Sequence, residues 1–394
     1  MIKGNGIPAS ADVVVVGGGV VGVAVAYTLA RAGVQVCLLE RNDIGSGTSS
    51  AAAAAALLQT KTSAVKLALA RESLALLDEL YEEFDHGFEY AHSGSLLAAC
   101  SEAELRVVQD MIARLQGMGL AVHKVDGVEA RAMMPVLGPT VIGASFSPDD
   151  ACINPLELVL AYAEAAHRHG TMLCTATAVT GIERQGERIL SVETTRGRLR
   201  TSTVVNAAGV WAPQLAQIAG LELPVVPLKG ELMISEVMPP MMRGTLISAR
   251  YLLSKANTGA TAAEGSPKRT VGITLVQVAR GNFLVGATRE QAGYDRRSSF
   301  GGISELGRLL LDIAPSLANL RILRAYAGLR PLTADMLPVV GPAPGLPGFI
   351  AAAGHGGDGL ILSAITGKLV AGLIIGKPDQ ARLAPLAWDR FSVR

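Results

Sequence analysis

The hydrophobic positions near the N terminus change from a continuous run to helical spacing and back. Residues 12–40 read DVVVVGGGVVGVAVAYTLARAGVQVCLLE. The β-branched run Val13–Val16 predicts a strand that is buried on both faces, and Ala24–Arg31 continues a helix that Gly33 ends. Val34–Leu39 predicts a second strand. The order strand, helix, strand predicts a parallel α/β unit.

The rest of the chain shows the same two periodicities in separate regions. Apolar spacing typical of helices recurs at residues 64–84, 101–117 and 154–170. Ser101 and Glu104 have the spacing of a capping box, and Asn154 before Pro155 is a typical helix start. Strand-like patterns occur at residues 172–182, 189–195 and 204–205. Alternation with few helix signals between Gly220 and Leu323 predicts an antiparallel layer that holds a substrate.

Length and composition narrow the class of protein. With 394 residues the chain exceeds the usual size of one core, so we expect two domains or one domain with an insertion. The 35 basic and 34 acidic residues create no field that would attract nucleic acid. The apolar run Val13–Leu39 contains Arg31 and several glycines, so we expect neither a membrane span nor a signal peptide. The four cysteines have no C-x-x-C or metal-binding spacing, which predicts reduced thiols in a cytoplasmic protein without a metal.

A glycine motif follows the first predicted strand directly. Gly17, Gly19 and Gly22 form G-x-G-x-x-G, with Val20 and Val21 between the last two glycines. In this motif the first glycine permits a tight turn, the second admits a pyrophosphate, and the third lets the helix pack closely on the strand. The helix N terminus then offers N–H groups to phosphate. The motif therefore predicts a dinucleotide site.

The residues after the second predicted strand extend this site. Glu40 ends the strand, where a carboxylate can accept both ribose hydroxyls of an adenosine, so FAD and NAD are the candidate cofactors and a 2′-phosphate is not expected. The following segment supplies small polar groups suited to a phosphate path, namely Arg41, Ser46, Gly47, Thr48, Ser49 and Ser50. An ordinary serine-rich loop before a helix is the alternative for this segment.

A second glycine-dense turn lies near the C terminus. The segment GHGGDGLILSAITGKL covers residues 354–369 and has the pattern of a turn that runs straight into a helix. A turn that only reverses the chain before a terminal helix is the alternative.

These motifs, in this order, resemble the FAD-dependent D-amino acid oxidase family. The resemblance rests on the opening segment and on GSGTSS, VVNAAGVWA, RAYAGLRPLTADMLPVVGP and GHGGDGLILSAITG. It implies an α/β fold, in which a Rossmann-like FAD-binding domain of the glutathione-reductase type carries an inserted α+β substrate domain with an antiparallel sheet. The implied FAD-binding domain is discontinuous, at residues 1–88, 150–220 and 324–394. The implied substrate domain takes residues 89–149 and 221–323.

The resemblance also implies which later residues bind FAD. They are Val179, Ala207, Ala208, Gly209, Trp211, Gly328, Arg330, Gly354, His355, Gly356, Gly357, Asp358, Gly359 and Leu360. The C-terminal turn would bring a second helix N terminus against the isoalloxazine ring, near N1. When a hydride arrives at N5 the reduced ring carries negative charge there, which a helix dipole stabilises.

Four residues are the candidates for the catalytic site. By resemblance, Arg330 anchors the substrate α-carboxylate, with a structural ion pair to Asp335 as the alternative. Tyr251 matches a phenol that reaches the same carboxylate, although an aromatic residue on an alternating strand is more often core. His355 is assigned to flavin contact rather than to acid–base work. Asp358 is either a partner for a substrate cation or a helix-start acid.

The implied reaction is oxidation of the Cα–N bond of a D- or secondary amino acid. A hydride passes to flavin N5 and the resulting imine hydrolyses in water, so no strong protein base is needed. By the resemblance, glycine oxidase and cyanide synthase share an arginine two residues after this histidine. This chain has Gly357 at that position. The absence of a bulky arginine at this position predicts a wider substrate pocket than in those proteins. A wider pocket favours D-hydroxyproline, proline or an opine over glycine.

The electron acceptor is the remaining question. The chain carries no motif for haem, iron–sulfur or quinone binding, so a dehydrogenase would need partner subunits with further redox cofactors. The segment Lys255–Thr270 predicts a mobile hairpin tip or a partner-contacting loop. The resemblance to subunits of hydroxyproline, proline and opine dehydrogenases and of hydrogen cyanide synthase favours a heteromeric complex. Alternatives are a glycine or sarcosine oxidase, a flavin relay subunit without a substrate site, and an NAD-dependent dehydrogenase.

Overall fold

A computed structural model describes residues 6–47, 55–257 and 269–391. The strands of this part of the chain are β1 Val13–Val16, β2 Val36–Leu39, β3 Ala55–Ala56, β4 Tyr90–Ala91, β5 Ser95–Ala99, β6 His123–Asp126, β7 Gly143–Ser147, β8 Ala151–Ile153, β9 Met172–Cys174, β10 Val179–Gln185, β11 Arg188–Thr194, β12 Gly197–Arg200, β13 Thr203–Asn206, β14 Val226–Val237, β15 Thr245–Ser248, β16 Arg269–Gln277, β17 Asn282–Glu290, β18 Ile322–Leu332, β19 Val339–Ala343 and β20 Leu346–Ala353.

The α-helices of the same residues are α1 Val20–Arg31, α2 Ala64–Glu83, α3 Glu102–Gly117, α4 Gly127–Met133, α5 Pro155–Arg168, α6 Ala212–Ile218, α7 Ala249–Asn257, α8 Phe300–Ile313, α9 Ser363–Ile374 and α10 Gln380–Leu383. Four short 3₁₀ helices accompany them, at Gly209–Trp211, Pro315–Leu317, Ala384–Leu386 and Trp388–Phe391.

A six-stranded sheet carries the N-terminal motif. Its strand order is β19-β20-β13-β1-β2-β9, and every neighbouring pair is parallel except β19 with β20. All four valines of β1 are buried, and they point alternately into two hydrophobic clusters on opposite faces of the sheet. Helices α1, α5 and α9 belong to the cluster on one face. The predicted doubly buried strand is confirmed.

A mixed, mainly antiparallel sheet forms the second layer of the fold. Its order is β18-β14-β17-β16-β15-β5-β7-β6, and α8 covers part of one face through the buried residues Leu306 and Leu310. The predicted inserted antiparallel layer is therefore confirmed, and so is the fold class. The predicted domain boundary at residue 324 falls inside β18, which belongs entirely to this sheet. Two three-stranded sheets, β10-β11-β12 and β3-β8-β4, complete the described strands.

The helix starts follow the predicted capping chemistry. Asn154 accepts the backbone N–H groups of Leu156 and Glu157 at the start of α5, with Pro155 in the first turn. Ser101 accepts the N–H of Glu104 at the start of α3, whereas the Glu104 carboxylate accepts the N–H of Cys100 and not that of Ser101, so the predicted capping box is only half formed. These side chains satisfy N–H groups that have no partner within the helix.

The structure corrects four local expectations. The strand predicted over 172–182 is two strands in different sheets, separated by Ala176 with φ +49°. Two helices, α7 and α8, lie in the region where few helices were expected, so Tyr251 is on a helix rather than on an alternating strand. After the C-terminal glycine turn, α9 begins only at Ser363. Of the predicted loop Lys255–Thr270, the first three residues belong to α7, the last two to β16, and residues 258–268 lie outside the described part.

Candidate active site

The turn between β1 and α1 permits a very close approach of backbone groups. Gly17 has φ +115°, which favours glycine, and a Cβ there would lie 2.4 Å from the Ala207 carbonyl oxygen. A Cβ on Gly22 would lie 1.9 Å from the Gly17 carbonyl oxygen. No side-chain hydrogen bond caps the N terminus of α1, which is typical of a helix end that binds phosphate.

A first cavity lies beyond the carboxyl ends of β1 and β2. Most of the N-terminal residues predicted to bind FAD line it: Gly17, Gly19, Glu40, Arg41, Ser46, Gly47, Val179, Ala207, Ala208, Gly209 and Trp211. Thr48, Ser49 and Ser50 lie outside the described residues. Sequence reasoning missed Thr177, Gln214 and Arg296, which line the same cavity. Arg296 follows β17, so the region of the large sheet also contributes to this wall.

Glu40 and Arg41 have defined contacts in this cavity. Glu40 Oε2 accepts the Gly18 N–H at 2.7 Å, and its Oε1 accepts the Asn42 N–H at 2.8 Å. Each carboxylate oxygen can accept a second hydrogen bond, so the predicted role toward ribose hydroxyls is compatible with these contacts. The Arg41 guanidinium carbon lies 3.8 Å from the centre of the Trp211 ring, a cation–π contact that fixes two flat groups in the wall.

A second cavity adjoins the first at Gly19, Ala207 and Gly209, which line both. It lies between the C-terminal glycine turn, the segment 55–61 and the large sheet. The predicted residues in its wall are Val20, Val21, Tyr251, Arg330, His355, Gly356, Gly357, Asp358, Gly359 and Leu360. Two adjoining cavities on either side of the α1 N terminus fit FAD, whose pyrophosphate would lie at that helix end between its nucleoside and its ring.

Three predicted glycines line neither cavity. Gly22 packs against the Gly17 backbone, and Gly328 is buried in β18 opposite Gly230 of β14. Gly354 has φ +80°, and a Cβ there would lie 2.6 Å from Thr333 Cγ2. Each glycine therefore allows close packing behind the cavities, whereas direct contact of Gly328 or Gly354 with FAD has no support in the cavity walls.

Arg330 extends from β18 toward the second cavity. Its guanidinium occupies the space above Gly230, where a Cβ would lie 2.1 Å from Arg330 Nη1. It donates to the Thr288 carbonyl oxygen at 3.2 Å. Burial, followed by the neighbouring Arg289 charge, lowers the pKa of Arg330 to about 10, so it is still a cation at neutral pH.

Arg330 does not form the structural ion pair with Asp335 that was its alternative role. The Asp335 carboxylate instead binds Arg390, at 2.7 Å from Nε. Among the ion pairs of residues 6–47, 55–257 and 269–391, none includes Arg330. Tyr251 lines the same cavity as Arg330, so the structure brings together the two residues predicted to hold a substrate carboxylate.

His355 is held as a neutral imidazole. Its Nε2 lies 3.0 Å from Thr366 Oγ1, and that hydroxyl donates to the Leu362 carbonyl oxygen at 2.7 Å. Because the single hydroxyl hydrogen is used, Nε2 must carry the hydrogen in this contact. Burial, with a further contribution from the Lys66 charge, lowers the pKa of His355 to about 3. A group with this pKa is unprotonated and only weakly basic at neutral pH, in agreement with the predicted assignment away from acid–base work.

Asp358 forms a buried ion-pair triad with two lysines. Lys61 Nζ lies 2.7 Å from Oδ1 and Lys66 Nζ lies 3.0 Å from Oδ2, and both lysine side chains are buried. Both predicted roles of Asp358 need correction: its charge is already neutralised by lysines and is not available to a substrate cation, and the residue precedes α9 by five positions instead of starting it.

Sequence reasoning missed Lys61 and Lys66. They flank Ser63, the N-cap of α2, in the segment QTKTSAVK. A lysine beside a helix start usually points to solvent, and almost all fully buried lysines are paired. The local sequence therefore contains no signal that these two are buried, because the acid that pairs them is 297 and 292 positions away.

Comparison with known proteins shows the family to which this chain belongs. A family model described as FAD dependent oxidoreductase (DAO) matches residues 12–373. The hydrogen cyanide synthase subunit HcnC of Pseudomonas aeruginosa is 29% identical, and the match covers 96% of each chain. The glycine oxidase of Geobacillus kaustophilus is 31% identical over 96% of this chain and 97% of the relative.

Solved structures show the same likeness over the whole fold. L-Proline dehydrogenase from P. horikoshii superimposes with a TM-score of 0.87 at 27% identity, covering 98% of each chain. The glycine oxidase structure from Geobacillus kaustophilus also gives 0.87, at 31% identity, over 98% of this chain and all of the other. The predictions of the family, of FAD as cofactor and of an oxidoreductase related to amino acid oxidases are confirmed.

None of the helices in the described part of the chain combines the length and apolar character needed to cross a bilayer. No cluster of three or more His, Cys, Asp or Glu side chains in the same residues is placed to hold a metal ion.

Proposed function

Because this chain belongs to the FAD dependent oxidoreductase family, we propose that it oxidises the Cα–N bond of a D- or secondary amino acid. When bound, FAD supplies the acceptor for the hydride that leaves Cα. The observation that carries the proposal is Arg330, a cation in the wall of the second cavity that has no carboxylate partner among the described residues. A planar guanidinium in such a place fits a substrate carboxylate through two parallel hydrogen bonds.

The wall of the second cavity supports a ring-shaped or apolar substrate. Strands of the large sheet contribute Leu232, Thr274, Val276, Leu284, Gly286 and Ala287. Gly357 leaves room beside Arg330. By the resemblance, glycine oxidase and cyanide synthase have an arginine at this position. Asp358 is neutralised by lysines, so the described wall has no spare carboxylate for a guanidinium side chain. Within the D-hydroxyproline, proline and opine classes, we favour a cyclic imino acid over an arginine-derived opine.

The residues of the cavity orient the substrate rather than deprotonate it. The pKa of His355 is lowered, so the imidazole is neutral at physiological pH, and the Lys61 ammonium is paired with Asp358. A substrate whose amine arrives unprotonated needs no protein base, since the nitrogen lone pair assists departure of the hydride. Arg330 holds the carboxylate, and the apolar wall keeps water from the reacting carbon until the imine is released and hydrolyses.

A role as the catalytic subunit of a heteromeric dehydrogenase is part of the proposal. It is supported by the likeness to HcnC, which is named as a subunit. The four cysteines, Cys37, Cys100, Cys152 and Cys174, are free thiols, which supports a cytoplasmic location. Glycine oxidase relatives support a second candidate, an oxidase of glycine or sarcosine that uses oxygen directly.

Anaerobic reduction of the flavin tests the proposal. The purified chain, with any co-purifying partners, is mixed with D- and L-proline, D-hydroxyproline, sarcosine, glycine and an opine while the oxidised flavin band is followed. We expect cyclic imino acids to bleach the band, and Arg330→Gln to abolish bleaching while FAD stays bound. Return of the oxidised flavin band in air identifies an oxidase. A band that stays bleached in air identifies a dehydrogenase. A flavoprotein that no amine reduces would instead be a relay subunit.

A further inference from the structure

A buried guanidinium lies beside the predicted carboxylate site, in addition to the half-buried Arg330. Arg289 is in β17, and only 4% of its surface is exposed. Its Nε is buried without a hydrogen-bond partner, and no ion pair of the described residues includes it. Because a buried charge is costly unless it is paired, such a residue needs a functional or structural reason.

The contact of Arg289 with Tyr251 supplies that reason. Arg289 Nη2 lies 3.3 Å from the Tyr251 phenol oxygen, and the guanidinium carbon lies 5.1 Å from the centre of the ring. Arginine has only donors, so the phenol oxygen is the acceptor in this bond. The phenol hydrogen therefore does not point to Arg289, and donation from a cation makes the phenol a stronger donor.

One short stretch of β17 connects Arg289 with Arg330. The carbonyl oxygen of Thr288 accepts from Arg330, and the next residue along the strand is Arg289. Tyr251 reaches this place because α7 packs directly on Gly272 of β16, where a Cβ would lie 2.4 Å from Tyr251 Cα. The strand thus sets Arg330 and the Arg289–Tyr251 pair in fixed relation around one cavity.

We propose that Arg289 is a positioning residue of the substrate site, which orients the Tyr251 phenol so that the phenol and Arg330 hold the same substrate carboxylate. The proposal rests on the proposed function, since it takes Arg330 as the carboxylate anchor. Arg289 acts through Tyr251, which lies in the cavity wall, whereas Arg289 itself lies behind that wall.

A double-mutant cycle on ligand binding tests this role. Acetate is titrated into the oxidised, FAD-bound enzyme by calorimetry, with acetamide as the uncharged probe of the same shape. The variants are Arg289→Gln, Tyr251→Phe, the double variant, and Arg330→Gln. The matched control is Arg269→Gln on the neighbouring strand, whose arginine is paired with Glu305 at 3.1 Å.

We expect Arg289→Gln to weaken acetate binding about tenfold, the size of one charge-assisted hydrogen bond, and to leave acetamide binding unchanged. In the Tyr251→Phe background the same substitution should change acetate binding by less than about twofold, because the phenol through which it acts is absent. Arg269→Gln should change neither. Arg289→Lys keeps a cationic donor and should recover part of the acetate affinity. If Arg289→Gln fails to fold, Arg289→Lys takes its place in the cycle.

The outcomes separate this inference from the proposed function. Equal losses from Arg289→Gln in both backgrounds, or no loss in either, would overturn the positioning role. If Arg330→Gln abolishes acetate binding in that case, the proposed function stands. If the unaltered enzyme binds acetate no better than acetamide, or if Arg330→Gln has no effect, the carboxylate site itself is refuted and both proposals fail.

Discussion

Lys61 Nζ lies 2.7 Å from Asp358 Oδ1, and this ion pair joins the segment before α2 to the C-terminal glycine turn. Lys66 completes the triad from the first turn of α2. Lys61 and Asp358 both line the second cavity, so the pair also forms part of its wall. Two lysines share one carboxylate, which leaves a net positive charge at the turn. The position of His355 and its glycine neighbours therefore depends on a contact between the two ends of the sequence.

Asp358→Asn should strongly destabilise the protein. The substitution leaves two buried ammonium groups without a counter-charge, and breaking a buried pair in this way costs about 3–5 kcal/mol. The free energy of unfolding of the FAD-bound protein, measured by urea denaturation, checks this. Bound FAD per chain should fall as well, because the turn that lines the cavity loses its anchor.

The control for Asp358→Asn is Asp295→Asn. Asp295 also forms an ion pair, with Arg297 at 2.9 Å, but that arginine side chain is 89% exposed. Exposed pairs contribute little to stability, so this variant should unfold like the unaltered chain. Equal stability of the two variants would show that the triad does not hold the turn.

The features predicted correctly from sequence are those that neighbouring residues determine. The order of β1, Gly17, Gly22 and α1 was readable because each glycine answers a steric need within the same strand–turn–helix unit. The start of α5 was readable for the same reason, since Asn154 caps the N–H groups of the residues that follow it. In both cases the cause of the local structure lies within a few positions of its effect.

The features that were missed depend on distant residues. Helix α8 begins FGGIS, and glycine is a poor helix former, so its start gave no helix signal. Gly302 is required there because a Cβ would lie 1.6 Å from the Glu231 carboxylate of β14. Tyr251 was expected on a strand because the sequence contains nothing about Gly272, which admits α7 against β16. Tertiary packing overrides local preference at both places.

Gly22→Ala should prevent normal FAD binding. The added Cβ would lie 1.9 Å from the Gly17 carbonyl oxygen, so α1 must move away from β1 and the phosphate-binding turn with it. The ratio of flavin to protein absorbance in the purified variant measures this, and we expect most of the flavin to be lost. Gly307→Ala in α8 is the control, since nothing lies within 4 Å of its Cβ position. Full flavin content in Gly22→Ala would contradict the proposed packing role.

The pH dependence of oxidation should follow the pKa of the substrate amine and not the pKa of His355. Burial lowers the pKa of His355 to about 3, so the imidazole does not change its charge between about pH 5 and 9. We expect kcat/KM to rise with pH through the pKa of the substrate amine. Two substrates whose amines differ in pKa provide the measurement, because the rise should shift with the amine. A rise at one fixed pH for both would indicate a protein base instead.

Affinity for a carboxylate should fall at high pH because Arg330 loses its charge there. Burial and the Arg289 charge lower the pKa of Arg330 to about 10, so Arg330 is cationic below that pH and neutral above it. Acetate titrations of the oxidised enzyme across this range should show the fall, whereas acetamide affinity should stay constant.

The contribution of Arg289 to this fall has a definite sign. Arg289 lowers the pKa of Arg330, because two neighbouring cations disfavour each other's charge. Removing it in Arg289→Gln should raise that pKa and move the loss of acetate binding to higher pH, even though the affinity at neutral pH is weaker. Electrostatic contact between the two guanidinium groups predicts these opposite changes in affinity and in the pH of release. An unchanged pH of release would mean that burial alone sets the pKa of Arg330.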